Sequence, residues 1–324
     1  MSHIAFIGEC MIELSGSKPD AIFGAAQLGF AGDTLNAATY MARTSRLLAD
    51  ENAQHTNDVS ANMASYITAL GTDPYSNAML RAWQQDGIGT DLVRKIDGAL
   101  PGLYAIQTDT HGERSFSYWR ENAAAKLMLR DGHDDKIRNA FAQLDGIYLS
   151  GITLAILSES DRTKMINLVA DFAHKGGKVY FDTNHRPRLW SDSKTAIAAY
   201  DAIAPLCHTV LPTFDDDAAL FGDASPTHTA KRWLDAGALE VIVKSGGDPT
   251  IFATKDGDTG SITPPVITKI VDTTSAGDSF NGAFLGAKSH GKTTPQSIVI
   301  AQQVAGLVIG RHGALVDISD ITLA

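Results

Sequence analysis

Val271-Asp272-Thr273-Thr274-Ser275-Ala276-Gly277-Asp278-Ser279-Phe280-Asn281-Gly282-Ala283-Phe284 is a polar, glycine-containing turn that runs into an apolar helix. The first backbone N–H groups of a helix have no internal acceptor and, with the helix dipole, form an anion site. Gly277 lets a ligand approach the backbone closely. Asp278 falls in the first turn, so its carboxylate lies beside the same anion. Two negative groups side by side repel unless the carboxylate has chemistry to do, and the chemistry on offer is taking a proton from an attacking hydroxyl. The plainer reading is that Asp, Thr and Ser are good helix caps and that Asp in a first turn is favourable.

Outward from this stretch, short apolar runs alternate with amphipathic segments. Ile4–Ile7, Tyr66–Leu70, Gly146–Ser150, Lys178–Asp182, Thr209–Leu211 and Val241–Lys244 read as strands. Helices are expected over Thr34–Leu48, Asp73–Asp86, Ser158–Lys175, Asp192–Ala204, Thr227–Ala236, Ala276–Ser289 and Thr294–Arg311. The alternation predicts an α/β fold, a mainly parallel sheet covered by helices on both faces. Residues 91–120 break the pattern: strands follow one another without a helix, and Gly102–Asp109 and Glu113–Arg120 flank a turn at 110–112, predicting an antiparallel hairpin. Residues 46–62 are polar and weakly periodic and read as a surface insertion.

Composition excludes several classes. With 324 residues, 44% hydrophobic and 20% charged, the chain can bury a large core. A net charge of -10 argues against nucleic acid and anionic membrane surfaces as partners. An anionic small molecule needs only a local basic pocket. Two cysteines, Cys10 and Cys207, make no disulfide framework and fit a reducing cytoplasm. The ten histidines show no metal-ligand spacing, and the N-terminus shows no signal-peptide pattern.

Two further stretches carry chemistry. Phe30-Ala31-Gly32-Asp33-Thr34-Leu35-Asn36-Ala37-Ala38 places a glycine before a helix, with Asp33 or Thr34 as caps. Glu240–Gly247 reads as a buried strand leaving through Lys244-Ser245-Gly246-Gly247. A near P-loop, Gly282 to Ser289, is rejected, because the segment continues a helix instead of opening one.

Asp272 to Asp278 resembles the Asp-Thr-x-x-Ala-Gly-Asp signature of the ribokinase-like carbohydrate kinases, and the stretch 30–38 resembles that family's N-terminal sugar-binding signature, with Ala31 in place of the first of two glycines. The resemblance covers essentially the whole chain. It implies a three-layer α/β sandwich formed by one domain over 1–324, with a small β-sheet lid built mainly from about 9–29 and 91–120. It implies Asp278 as catalytic base, Ser275, Ala276 and Gly277 as the anion hole, and Gly32, Asp33 and Asn36 at the sugar. It places Asn184, Thr213, Lys244, Gly246, Gly247 and Gln302 at ATP, and Asp216 at a hydrated Mg²⁺, Thr213 and Asp216 standing where the family has Asn and Glu; a monovalent cation is a further possibility that it leaves open.

Residues 8–14, 102–104, 116–120 and 181–190 resemble the members of the family that phosphorylate 2-keto-3-deoxygluconate, a small acidic keto-sugar. The pocket this implies joins Tyr104, Tyr118, Arg120 and Arg186. Tyr118 and Arg120 share strand parity, and guanidinium forks suit a carboxylate. Surface ion pairs are the alternative for each arginine. A fructokinase-type neutral-sugar kinase and a non-catalytic sugar-binding relative are the competing functions. A homo-oligomer is expected, because an extended hairpin gains stability by packing against another copy.

Overall fold

The computed structural model describes residues 2–16, 23–52, 63–108 and 114–323. A large sheet is built from β1 (Ile4–Ile7), β4 (Ala64–Leu70), β5 (Ile88–Gly89), β6 (Val93–Lys95), β9 (Gly146–Ser150), β10 (Lys178–Asp182), β11 (Thr209–Val210), β12 (Glu240–Val243), β13 (Thr250–Thr254) and β14 (Thr259–Ile262). Its order is β14-β13-β12-β11-β10-β9-β1-β4-β5, with β6 also paired to β4. All pairings are parallel except those of β13 and β14. A second sheet, ordered β3-β2-β7-β8, joins β2 (Met11–Gly16), β3 (Ala26–Ala31), β7 (Leu103–Thr108) and β8 (Arg114–Trp119).

Period-two alternation sends successive strand residues to opposite faces. In β1, Ala5 and Ile7 enter one apolar core while Ile4 and Phe6 enter the other. The first core is closed by α3 (His133–Phe141), α4 (Gly151–Ile156), α5 (Glu159–His174), α6 (Ser193–Ile203), α7 (Phe214–Phe221) and α8 (Pro226–Asp235). The second is closed by α1 (Asp33–Asn52), α2 (Pro74–Gln85), α9 (Ala276–Ser289) and α10 (Thr294–Ile309). The expected three-layer architecture is thus observed. Among the described residues no helix is long and apolar enough to cross a membrane.

Three boundaries differ from expectation. Residues 46–52 continue α1 instead of starting an insertion, because Leu47 and Leu48 extend its buried stripe; residues 53–62 lie outside the described residues. Residues 91–101, expected in the small sheet, instead sit at the edge of the large one, where β6 pairs with β4. The antiparallel pair β13–β14 was not foreseen. The predicted hairpin is observed as β7 and β8, Leu103 opposite Trp119 and Thr108 opposite Arg114, with its turn outside the described residues.

The rejected P-loop stretch lies inside α9. A Cβ on Gly282 would lie 2.3 Å from the Ala37 carbonyl oxygen and 2.8 Å from the Met41 nitrogen, so α9 sits directly on the α1 backbone. At Gly286 the nearest atoms would be 3.2 Å away. Gly282→Ala should therefore destabilise by about 1–3 kcal/mol through overpacking. Gly286→Ala should stay within about 1 kcal/mol of the parent, since better helix propensity offsets the tighter contact. Denaturant midpoints check the contrast, and equal stability of the two variants would contradict it.

Candidate active site

The site forms at the carboxyl ends of the parallel strands, where open α/β sheets bind ligands. Two helix N-termini, of α1 and α9, are brought to this edge. Gly8 and Gly32 allow the approach of α1: a Cβ on Gly8 would lie 2.2 Å from the Thr34 hydroxyl, and one on Gly32 would lie 2.1 Å from the Glu9 carbonyl oxygen. Ala31, standing where the family signature has glycine, is buried at the end of β3 opposite Met11, a place that accepts a methyl group.

Asp278 accepts a hydrogen bond from the Asn36 amide at 2.9 Å, across 242 residues of sequence. The Asn36 carbonyl in turn receives the Gly32 N–H at 3.4 Å. Desolvation, and then the neighbouring Asp33 carboxylate, push the Asp278 carboxyl well above the usual carboxylate range; the Asn36 bond works the other way. Asp33 is raised too, mainly by desolvation, and accepts from Asn184 at 2.9 Å. Asn184 holds a left-handed conformation, φ 30°, and its N–H caps Asp182.

Ser275 precedes α9 in the left-handed region, φ 63°, a conformation that non-glycine residues adopt only where their surroundings impose it. Its hydroxyl is buried without a hydrogen-bond partner among the described residues. Ala276 N–H reaches the Thr273 carbonyl at 3.3 Å, while Gly277 and Asp278 head the helix before any intrahelical acceptor exists. The predicted anion-hole residues are therefore adjacent to the predicted base.

Lys244 is the lysine expected at ATP. It is buried, donates to Asp182 at 3.1 Å and to Asn281 at 3.0 Å, and its Nζ would be 3.6 Å from a Cβ on Gly277. It thus sits beneath the α9 N-terminus. Asn281 completes the network by donating to Asp182 at 2.6 Å and to the Tyr148 hydroxyl at 2.9 Å. Gly246, in the left-handed region at φ 56°, and Gly247 have open space beside them. Thr213 bridges to Lys244 in the backbone. Gln302 is not brought to this edge with free amide protons: its NH₂ is held by Thr250 at 3.1 Å and the Ile262 carbonyl at 2.9 Å.

The two arginines expected to meet a substrate carboxylate both have acidic partners. Arg120 pairs with Glu9, which is buried and whose second oxygen has no hydrogen-bond partner among the described residues. Arg186, half exposed, pairs with Asp216 at 3.2 Å. Asp216 was expected to face Mg²⁺, and the structure puts it against the very arginine assigned to the sugar. Tyr104 donates to Glu13 and stacks obliquely on Tyr118, ring centres 5.9 Å apart. Glu9, Asp182 and Asn281 were not singled out from the sequence. Their types are common at strand and helix ends, and only the fold shows them converging.

A family model described as pfkB family carbohydrate kinase matches residues 1–321. The chain belongs to that family. It is 41% identical over 318 residues to the 2-dehydro-3-deoxygluconokinase of Haemophilus influenzae, covering 98% of this chain and 96% of that protein. It is 38% identical over 317 residues to the Dickeya dadantii enzyme of the same name, with 97% and 96% coverage. The structure of a putative ribokinase II from E. coli in complex with ATP and Mg²⁺ superposes with a TM-score of 0.80, at 21% identity, over 97% of this chain and 95% of that one. This last likeness concerns the fold.

The raised pKa of Asp278 gives a sign. A base works only when deprotonated, so the acid limb of kcat/KM should lie above the ordinary carboxylate range. Asp33→Asn removes a neighbouring negative charge, lowers the Asp278 pKa and should move that limb to lower pH, whatever it does to absolute rate. A limb that stays in place would contradict the coupling.

Proposed function

We propose that the protein transfers the γ-phosphoryl group of ATP to the terminal hydroxyl of 2-keto-3-deoxygluconate, giving 2-keto-3-deoxy-6-phosphogluconate and ADP. The observation that carries this reading is the Asn36–Asp278 pair beside the α9 N-terminus, in a chain 38–41% identical to enzymes named for that substrate under its synonym, 2-dehydro-3-deoxygluconate. Asp278 takes the hydroxyl proton as the oxygen attacks phosphorus, and the bond to the ADP oxygen breaks. The N–H groups of Gly277 and its neighbours receive the transferring phosphoryl oxygens. Lys244, beneath them, offsets the negative charge of Asp182 and Asp278.

ATP would lie along Lys244–Gly247 and Thr213, where the open space beside Gly246 and Gly247 leaves the backbone accessible. Mg²⁺ fits this site as a hydrated ion: it needs one or two carboxylates besides the phosphates, and Asp216 is a partly covered carboxylate whose pKa burial raises and Arg186 lowers. When bound, the ion neutralises charge on the phosphates. The small sheet acts as a lid over the sugar and, through the exposed Leu28 and Trp119, as a contact between copies of a homo-oligomer. With two free, buried cysteines, the cytoplasm is the expected compartment.

A neutral-sugar kinase is the second reading. It is favoured by one observation: Glu9 and Asp216 already neutralise Arg120 and Arg186. A substrate carboxylate has to share those guanidinium groups or displace the acids.

Asp278→Asn keeps size and removes basicity, and general-base loss should lower turnover by roughly 10²–10⁴-fold. Near-normal ADP release would remove Asp278 from that role. Arg186→Ala should weaken use of the sugar acid about 10–100-fold and affect fructose much less. An unchanged preference for acid over neutral sugar in both Arg120→Ala and Arg186→Ala would move the neutral-sugar reading to first place.

A further inference from the structure

Alternate residues of β8 face the same side of the small sheet. Tyr118 stacks against Tyr104, and Arg120, just beyond the strand, meets Glu9. The strand's first residue, Arg114, reaches elsewhere. Its Nη1 donates to the Asp272 carboxylate and, at 2.5 Å, to the Thr274 hydroxyl. Asp272 is nearly buried and accepts two more bonds, from the N–H groups of Thr274 and Gly313, each at 2.9 Å. Three segments distant in sequence therefore meet at one carboxylate: the small sheet, the turn before α9 and the chain after α10. Burial alone would raise the Asp272 pKa, yet Arg114, Thr274 and Gly313 together hold it well below the usual carboxylate range.

Asp272 to Ser275 is the turn that sets the amides ahead of Asp278. It ends in the left-handed Ser275, whose side chain makes no cap hydrogen bond among the described residues. A turn of this kind keeps its shape because its surroundings impose it, and the one charged side chain holding it from the small sheet is Arg114 among the described residues. We propose that Arg114 is a positioning residue for phosphoryl transfer: it ties the strand carrying Tyr118 to the turn that forms the anion hole, so that the amides are aligned when the small sheet is seated. This rests on the kinase reading above. Its purpose follows from the chemistry, since an anion hole assembled without a seated sugar side would favour transfer to water.

The test compares the wild type with Arg114→Ala and Arg114→Lys. Expected for Arg114→Ala is a fall in kcat of about 10–100-fold from misplaced donors, with KM for the sugar acid changed by less than about threefold. ADP formed per sugar phosphate should rise above the one-to-one ratio of a coupled kinase. Arg114→Lys, which keeps the charge and one donor, should recover part of kcat and most of the coupling. Hydrogen exchange of the Thr274–Asp278 amides should quicken in Arg114→Ala, and this readout does not depend on which substrate is used. If the wild type fails to phosphorylate the sugar acid, the functional reading fails, while the exchange comparison still decides whether Arg114 holds the turn. If Arg114→Ala does not fold, Arg114→Lys carries the same comparison. A kcat within about twofold of the wild type with tight coupling, or unchanged exchange in 274–278, would overturn the proposal.

Discussion

The site depends on how closely α1 and α9 approach. Without a side chain at Gly282, α9 rests on the backbone of α1 at Ala37 and Met41. That contact brings Asn36, one turn into α1, within hydrogen-bonding distance of Asp278, one turn into α9. Gly8 and Gly32 play the same part just before, letting the start of α1 press against the chain leaving β1. Helix packing at ordinary side-chain distance would separate Asp278 from its hydrogen-bond donor by about an ångström or more, enough to lose alignment.

Closeness has an electrostatic cost. Desolvation raises the pKa values of Asp33 and Asp278; the Asp182 carboxylate adds to both, and Asp33 adds to that of Asp278. The fold answers with amides and one buried cation: Asn36 on Asp278, Asn184 on Asp33, and Lys244 with Asn281 on Asp182. Such a cluster is stable only because its hydrogen bonds are satisfied from several elements at once. It also leaves Asp278 with the weakened acidity that suits a base, so the repulsion within the cluster and the role proposed for Asp278 have the same origin.

The sequence made the layer architecture legible because hydrophobic period is a local property: β1, β9, β10 and β12 and the helices α5, α9 and α10 all announce themselves within a few residues. Asp278 and the turn before it, proposed here as base and anion hole, could be singled out for the same reason, being one contiguous stretch. Side-chain partners were not. Arg120 with Glu9, Arg186 with Asp216, Lys244 with Asp182 and Arg114 with Asp272 join residues 30 to 158 positions apart, and nothing in the local pattern of an arginine says which acid it will meet. Residues 91–101 were misplaced because a short polar strand carries no mark of which sheet edge it will join. Gln302 was assigned by likeness to the nucleotide side, whereas its amide is consumed by β13 and β14, strands the apolar pattern did not announce.

What ties fold to function is the claim that this geometry moves a phosphoryl group to the terminal hydroxyl of a keto-sugar acid. Phosphorus NMR of the reaction of the purified protein with ATP, Mg²⁺ and 2-keto-3-deoxygluconate addresses it directly. The account predicts a single new phosphate monoester, coupled to the protons of the terminal CH₂ group, growing in step with ADP. Release of inorganic phosphate alone, or an ester at any other carbon, would contradict it.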